Sequence, residues 1–279
     1  MIAIVLALGS SIAFGLTDFL GGLAARRAHI FLLGSLTQPF GLVVLLVVAP
    51  LVGGTMSSEV WLWGAVSGLG GAFAYVFLFR ALAIGPMSVA SPISALVAVV
   101  LPVLAGLAFG ERLPALGWVG IAVGMVAVFM VSQVHEDAPH PVSSQVILLS
   151  FAAGVFISVF LVALERAPAD SGLWPLVVVR IVTSVLLLSA AVASRVVARP
   201  ARDVAVLAIV STLLDVTATA MFMLATREGL LTVVAVITAL YPAATVIMAR
   251  IVLKEHLQAL QRYGLGLAVV SVAVLASVA

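Results

Sequence analysis

The 279-residue sequence contains no cysteine, and only 9% of its residues are charged. Without cysteine the chain has no disulfide, no thiolate metal ligand and no cysteine nucleophile. A soluble domain of ordinary composition has about 25% charged residues, which cover its water-exposed surface. This chain has far too few for that purpose, so its composition points to a protein surrounded by lipid.

Motifs for common enzyme and nucleic-acid sites are also missing. The four histidines, His29, His135, His140 and His256, fall in loops or at segment ends, and none has the spacing of a metal site. There is no phosphate-binding glycine loop, which argues against direct drive by ATP. The basic residues form no cluster, and the net charge is only +2, so nucleic acid is not an expected partner. We expect no enzymatic activity, no metal and no cofactor.

Apolar residues dominate instead: 64% of the chain is hydrophobic and its mean hydropathy is +1.34. Apolar stretches of about 20 residues, the length that spans a bilayer core, recur from end to end. They lack strict alternation, which favours helices over the strands of a barrel. The sequence predicts an all-α membrane protein with ten transmembrane helices near residues 2–24, 30–52, 60–82, 86–109, 114–133, 145–164, 172–194, 203–225, 230–253 and 258–278.

A polar stretch at 135–143 contains two prolines and divides the chain into halves, 1–134 and 144–279. When the first half is shifted by 144 positions, Gly85 falls on Gly229 and Glu111 falls on Glu255. The halves therefore look like repeats of five spans each. An odd number of spans makes the second repeat point the opposite way in the membrane, and such inverted repeats enclose a binding site near the midplane.

Four motifs stand out along the two halves: Phe79-Arg80-Ala81-Leu82-Ala83-Ile84-Gly85-Pro86, Gly110-Glu111-Arg112-Leu113, Ala239-Leu240-Tyr241-Pro242 and Lys254-Glu255-His256-Leu257. In these motifs the sequence resembles the EamA-type transporters of the drug/metabolite transporter superfamily, and the resemblance covers nearly its whole length. The resemblance implies a secondary transporter of small metabolites or toxic compounds in the cytoplasmic membrane, working mostly in export. Lys254 and His256 depart from the family pattern, which more often has glycine and arginine there.

Two expectations about orientation disagree. Most basic residues, among them Arg26, Arg27, Arg195 and Arg202, lie at one set of helix ends. The positive-inside rule places that set in the cytoplasm and both termini outside. The resemblance to the EamA-type transporters implies instead that both termini are inside. The orientation therefore stays open.

Three charged residues fall inside predicted spans. Asp18 lies in the first span, Arg180 in the seventh and Asp215 near the middle of the eighth. Charged groups in a bilayer are costly, so they mark candidate sites for substrate cations or for proton coupling. Arg180 is a candidate for binding an anionic substrate group, and Gln38 occupies the comparable point of the first half. The alternative is structural: the acids lock helix packing, and Arg180 pairs permanently with Asp215.

Uncharged polar and aromatic residues extend the candidate substrate site. Tyr75, Ser94, Thr219 and Tyr241 fall in spans expected to line a central cavity. Serine and threonine in membrane helices often bond their own backbone instead. Tyr241 and Trp174 offer aromatic faces that suit amphipathic or cationic ligands. Trp174 lies near the start of a span, where it is equally explained as an interface anchor.

The favoured function is secondary transport by alternating access. The expected partners are a small-molecule substrate and the lipid bilayer. Proton coupling through Asp18 and Asp215 is left open. A facilitative carrier without a coupling ion is the main alternative. A lipid-modifying intramembrane enzyme is disfavoured because no buried histidine accompanies the two acids. A scaffold without transport leaves the polar residues at cavity positions unexplained. Monomer and homodimer are both compatible with the sequence.

Overall fold

The computed structural model describes residues 1–85, 87–131, 143–196, 200–253 and 258–278. The stretch 135–143, except Ser143, lies outside the described residues, and so does the Lys254-Glu255-His256-Leu257 motif. All regular structure in the described part is helical, which confirms the predicted class. One short 3-10 helix, Ala169–Ser171, accompanies eleven α-helices: α1 Ile2–Ala25, α2 Ile30–Val52, α3 Ser58–Ile84, α4 Met87–Ala108, α5 Ala115–Val131, α6 Ser144–Glu165, α7 Trp174–Ala193, α8 Arg202–Glu228, α9 Leu231–Thr238, α10 Tyr241–Leu253 and α11 Ala259–Ala276.

Most of these helices are long and apolar enough to cross a membrane. Within the described residues, nine stretches meet that requirement, and α5 is a shorter apolar helix. The ninth predicted span corresponds to two helices, α9 and α10, which form one apolar stretch, Leu231–Val252, interrupted at Ala239 and Leu240. The prediction of ten spans is thus matched by nine candidates and one shorter helix. The opposite direction of the two halves stays a prediction.

The two halves of the chain are interleaved. The most extensive helix contacts join α1 to α8 and α3 to α6, followed by α5 to α11. Two serines bond across the first two contacts: Ser10 Oγ donates to the Ala218 carbonyl at 2.8 Å, and Ser67 Oγ donates to the Phe160 carbonyl at 2.9 Å. Each of these contacts joins one half to the other, so the interior of the molecule is built from both.

The outer surface is apolar. Large hydrophobic side chains stay exposed along the helices, with Val185 at 59%, Val192 at 71% and Val269 at 71% of their full accessibility. Soluble monomers rarely expose contiguous apolar surface on this scale. In a bilayer the same surface contacts lipid tails, while the helices satisfy most of their backbone groups internally. The protein is therefore a multi-pass membrane protein.

Candidate functional site

A cavity of about 140 Å³ lies between the two halves of the chain. Its walls come from α1, α2, α3 and α4 of the first half and from α6, α7, α8, α9 and α10 of the second. The wall is mostly apolar, as is usual for small-molecule sites. The polar residues on it are Thr17, Asp18, Gln38, Tyr75, Arg180, Thr183, Asp215, Thr219, Thr238 and Tyr241.

Arg180 is the centre of a polar network on this wall. Its guanidinium forms an ion pair with Asp215 through Nη2 and donates from Nη1 to Gln38 Oε1 at 2.6 Å. Thr183 Oγ1 donates to the same Gln38 oxygen at 3.0 Å. The Arg180 side chain is only 7% exposed, whereas that of Asp215 is 30% exposed, so Asp215 is the more accessible member of the pair.

The approach of α2 to the guanidinium depends on a small residue. A Cβ at Gly41 would lie 3.2 Å from Arg180 Nε and 3.2 Å from Thr212 Cγ2, closer than most such contacts. Because Gly41 has no side chain, the Arg180 side chain has enough space to reach both Gln38 and Asp215. Gln38 and Arg180, matched in the sequence by their position in the two halves, are in direct contact.

Asp18 lies on the cavity wall without a cation. It is 7% exposed, and its Oδ2 accepts a hydrogen bond from Ser91 Oγ at 3.3 Å. In the part of the chain that the structure describes, no Lys or Arg forms an ion pair with it. A carboxylate in such a place either holds a proton or attracts a cation.

Close packing and hydrogen bonds fix α1 around Asp18. Thr17 Oγ1 donates to the Ser211 carbonyl of α8 at 3.3 Å. On the other side, Thr245 Oγ1 of α10 donates to the Gly15 carbonyl at 3.0 Å. Since Gly15 and Thr17 lie within three residues of Asp18, these contacts set the position of its carboxylate.

We expect Gly15→Ala to lower the free energy of unfolding by about 2 kcal/mol, because overpacking forces neighbouring atoms apart. The added Cβ would meet the Tyr241 carbonyl and lie 2.6 Å from Ala244 Cβ. Gly266→Ala is the matched control, since nothing lies within 4 Å of its added Cβ. Thermal unfolding in detergent checks both variants. Equal melting temperatures for the two would contradict the packing argument.

Tyr241 joins the Asp18 region to α4. Its hydroxyl lies 3.3 Å from Ser94 Oγ and donates to the Ser91 carbonyl at 3.4 Å. Ser94 itself is buried and donates to the Ser91 carbonyl at 2.8 Å, so it lies behind the wall and not on it. Ser91, which bonds Asp18 directly, lies in the fourth span, one of the spans expected to line the cavity.

The remaining predicted residues divide into two groups. Tyr75 lines the cavity and packs against Phe79 with ring centroids 4.6 Å apart. Thr219 also lines the cavity. Its hydroxyl donates to the backbone carbonyl of Asp215 at 2.7 Å, so it bonds its own helix, as serine and threonine in membrane helices often do. Trp174 is the first residue of α7; it packs against an apolar cluster and is not among the residues that line the cavity.

A second cavity, of about 50 Å³, adjoins the same polar network. Both cavities share Gln38, Arg180 and Asp215. The smaller one continues along α1 to Ala24 and along α8 to Ala208. It therefore extends toward the end of the molecule where α1 finishes and α8 begins.

The opposite end of the molecule is closely packed. Glu111 accepts hydrogen bonds from the Leu231 N–H at 2.6 Å and the Thr232 N–H at 3.0 Å, and so caps α9. Nearby, the backbone of Gly54 lies against that of Gly172, with a positive φ at both. Thr55 bonds Asp170 through backbone and side chain. The sequence motif around Glu111 did not reveal its partner, which lies 120 residues away.

Comparison with known proteins identifies the family. A family model described as the EamA-like transporter family matches residues 1–133 and 144–277. The chain belongs to the EamA-like transporter family. The predicted resemblance to the EamA-type transporters of the drug/metabolite transporter superfamily is thereby confirmed.

The fold of this EamA-like protein also occurs in solved structures. A crystal structure described only as "Crystal structure of protein" is similar over 96% of this chain and 94% of its own, with a TM-score of 0.77 and 19% sequence identity. At that identity the likeness concerns the fold alone. Among curated proteins, no sequence matches the chain. In the described residues of the EamA-like protein, no cluster of histidine and acidic residues is suited to a metal ion.

Proposed function

We propose that the protein is a secondary transporter that moves small metabolites or drug-like compounds out of the cell across the cytoplasmic membrane by alternating access. The observation that carries this proposal is the cavity between the halves, which holds Asp18, Arg180 and Asp215 inside an otherwise apolar bundle. Ionisable groups at such positions mark substrate or ion pathways. Membership of a transporter family supports the same conclusion.

The helix contacts support two related five-helix units. If α1 corresponds to α6 and α3 to α8, the contact of α1 with α8 and that of α3 with α6 become equivalent. The contact of α4 with α6 then corresponds to that of α1 with α10. Such an exchange is what two repeats related by a two-fold axis produce, and it supports units at 1–134 and 144–279 joined by residues 135–143. Five spans in each unit would make the two units point in opposite directions.

Access to the cavity differs between its two ends. The smaller cavity extends the space toward the α1–α2 end, whereas Glu111, Gly54 and Gly172 close the α9 end. In the proposed cycle, the packed end opens when the other end closes. The substrate then meets the same residues from opposite sides of the membrane.

Proton coupling through Asp18 is part of the proposal. Of the two carboxylates on the cavity wall, Asp215 pairs with Arg180, whereas Asp18 forms no ion pair with a described residue. A proton on Asp18 would remove the cost of its charge during the conformational change. Asp18 and Asp215 are the two groups to test.

The proposal is tested with purified protein in proteoliposomes. A thermal-stability screen across amino acids, nucleosides, polyamines and cationic drugs first finds compounds that bind the folded state. Uptake of these compounds is then followed with and without an imposed pH gradient. Coupling predicts uptake that accelerates with the gradient and loses this response in Asp18→Asn. An unchanged response in both Asp18→Asn and Asp215→Asn would remove the coupling.

The second candidate function is a facilitative carrier or exchanger without a coupling ion. The ion pair between Arg180 and Asp215 favours a carrier without a coupling ion, because two charges that neutralise each other need no proton during the transport cycle. Solute counterflow that proceeds equally well without any pH gradient would identify this mode. The substrate site would be the same in both cases.

A further inference from the structure

The charges on the cavity wall do not balance. The charged residues that line it are Asp18, Arg180 and Asp215, so two carboxylates face one guanidinium. The guanidinium already has partners, since it pairs with Asp215 and donates a hydrogen bond to Gln38. The wall therefore has one carboxylate more than it has cations, and that carboxylate is Asp18.

Asp18 has little else to stabilise its charge. One hydrogen bond from Ser91, at 3.3 Å, is the contact that the described structure gives it. A buried carboxylate needs a cation or several donors to offset the loss of water. An ammonium group in the cavity would supply both, because it carries a charge and three N–H donors.

The surroundings of Asp18 suit an organic cation better than a metal ion. A hard cation such as Ca²⁺ takes six to eight oxygen ligands, and Mg²⁺ needs about six in octahedral order. The cavity wall instead carries aromatic rings, which attract an ammonium group by their electron-rich faces and pack against an apolar body. These rings belong to Phe14, Tyr75, Phe79, Phe160 and Tyr241.

The size of the cavity limits the body of the ligand. An apolar cavity of about 150 Å³ holds one benzene molecule. The present cavity, at about 140 Å³, is of the same scale. It therefore fits one ring or a short alkyl chain, and a larger ligand would need the cavity to expand.

We propose that the cavity binds a small organic monocation, with its ammonium group at Asp18 and its ring or alkyl body against the aromatic wall. This inference names the substrate class of the transport site and rests on the proposed function. An anionic group is disfavoured because Arg180 already has two acceptors. A neutral compound offers no positive charge to Asp18, which would then need a proton to lose its own charge.

The test uses the full-length protein in detergent, in phosphate and not in an amine buffer. Benzylammonium, benzyl alcohol and benzoate share one ring and differ in charge. We expect benzylammonium to raise the melting temperature in a saturable way, whereas equal concentrations of the other two leave it unchanged. An equal effect of benzyl alcohol would overturn the inference, as would an equal effect of sodium or potassium chloride, which would indicate an inorganic cation. This arm needs no variant.

A second arm tests Asp18 itself. In Asp18→Asn, the dissociation constant for benzylammonium should rise by at least about tenfold, which corresponds to about 1.4 kcal/mol. Asp203→Asn is the matched control, because Asp203 is exposed and pairs with Arg27 at the surface. The affinity of this variant for benzylammonium should equal that of the wild type. Undiminished affinity in Asp18→Asn would overturn the inference.

The outcomes separate this inference from the proposed function. If benzylammonium binds but neither it nor any other ligand found in the stability screen is moved across the proteoliposome membrane, transport fails and the cation site stands. If neutral or anionic solutes are transported while benzylammonium does not bind, the cation site fails and transport stands.

Discussion

Replacement of Arg180 by methionine is expected to lower the free energy of unfolding by about 3 kcal/mol. The substitution leaves the Asp215 carboxylate without its cation and takes one donor from Gln38 Oε1. Removal of one member of a buried ion pair is costly because the other charge stays unpaired. Reversible denaturant titration in detergent micelles measures the loss.

The double variant Arg180→Met with Asp215→Leu tests whether the unpaired Asp215 charge causes the loss of stability. Because both charges are gone, it should recover most of the stability lost in Arg180→Met. Arg27→Met is the control: the Arg27 and Asp203 side chains are 56% and 63% exposed, and such surface pairs contribute less than about 1 kcal/mol. A double variant as unstable as Arg180→Met would show that the pair is not the cause.

Glu111→Gln is expected to lower the free energy of unfolding by about 2 kcal/mol. Glu111 accepts from two backbone N–H groups at the start of α9, each carboxylate oxygen serving one of them. Glutamine has one acceptor oxygen and no charge, so one N–H loses its partner and the favourable interaction with the helix dipole is lost. Every residue of α9 is buried, so water cannot readily replace the bond.

Hydrogen–deuterium exchange over α9 provides the local measurement, and amide exchange at Leu231 and Thr232 should be faster in Glu111→Gln. Glu59→Gln is the control, since Glu59 is an exposed acid in the first turn of α3. It should change stability by no more than about 1 kcal/mol. Equal effects of the two substitutions would mean that Glu111 is an ordinary helix-end charge.

The sequence predicted the helices because the length and composition of each apolar stretch are local properties. It matched Gln38 with Arg180 as comparable positions of the two halves, but the hydrogen bond between the two side chains is a finding of the structure that the match did not predict. The pairing of Arg180 with Asp215 followed from the scarcity of buried charges. Each of these inferences needed only spacing along the chain.

Other features depend on packing between distant segments. Phe14 and Phe160 line the cavity, whereas Phe129 and Phe151 are exposed on the outer surface. Amino-acid composition does not distinguish phenylalanines that line the cavity from those on the outer surface. Ser94 and Trp174 were placed in the candidate site by their spans, but the rotation of a helix decides which residues reach the cavity. The bond of Glu111 to α9 joins segments 120 residues apart. No local pattern contains that information.

Because the chain has no cysteine, a single introduced thiol reports on one position only. Ala74→Cys places it on the cavity wall, whereas Val185→Cys places it on the apolar outer surface, where the side chain is 59% exposed. With a small water-soluble methanethiosulfonate and protein in lipid vesicles, a hydrated cavity between the halves predicts rapid labelling at residue 74 and very slow labelling at residue 185. Slow labelling at residue 74, at the rate seen for residue 185, would contradict a transport cavity at this place.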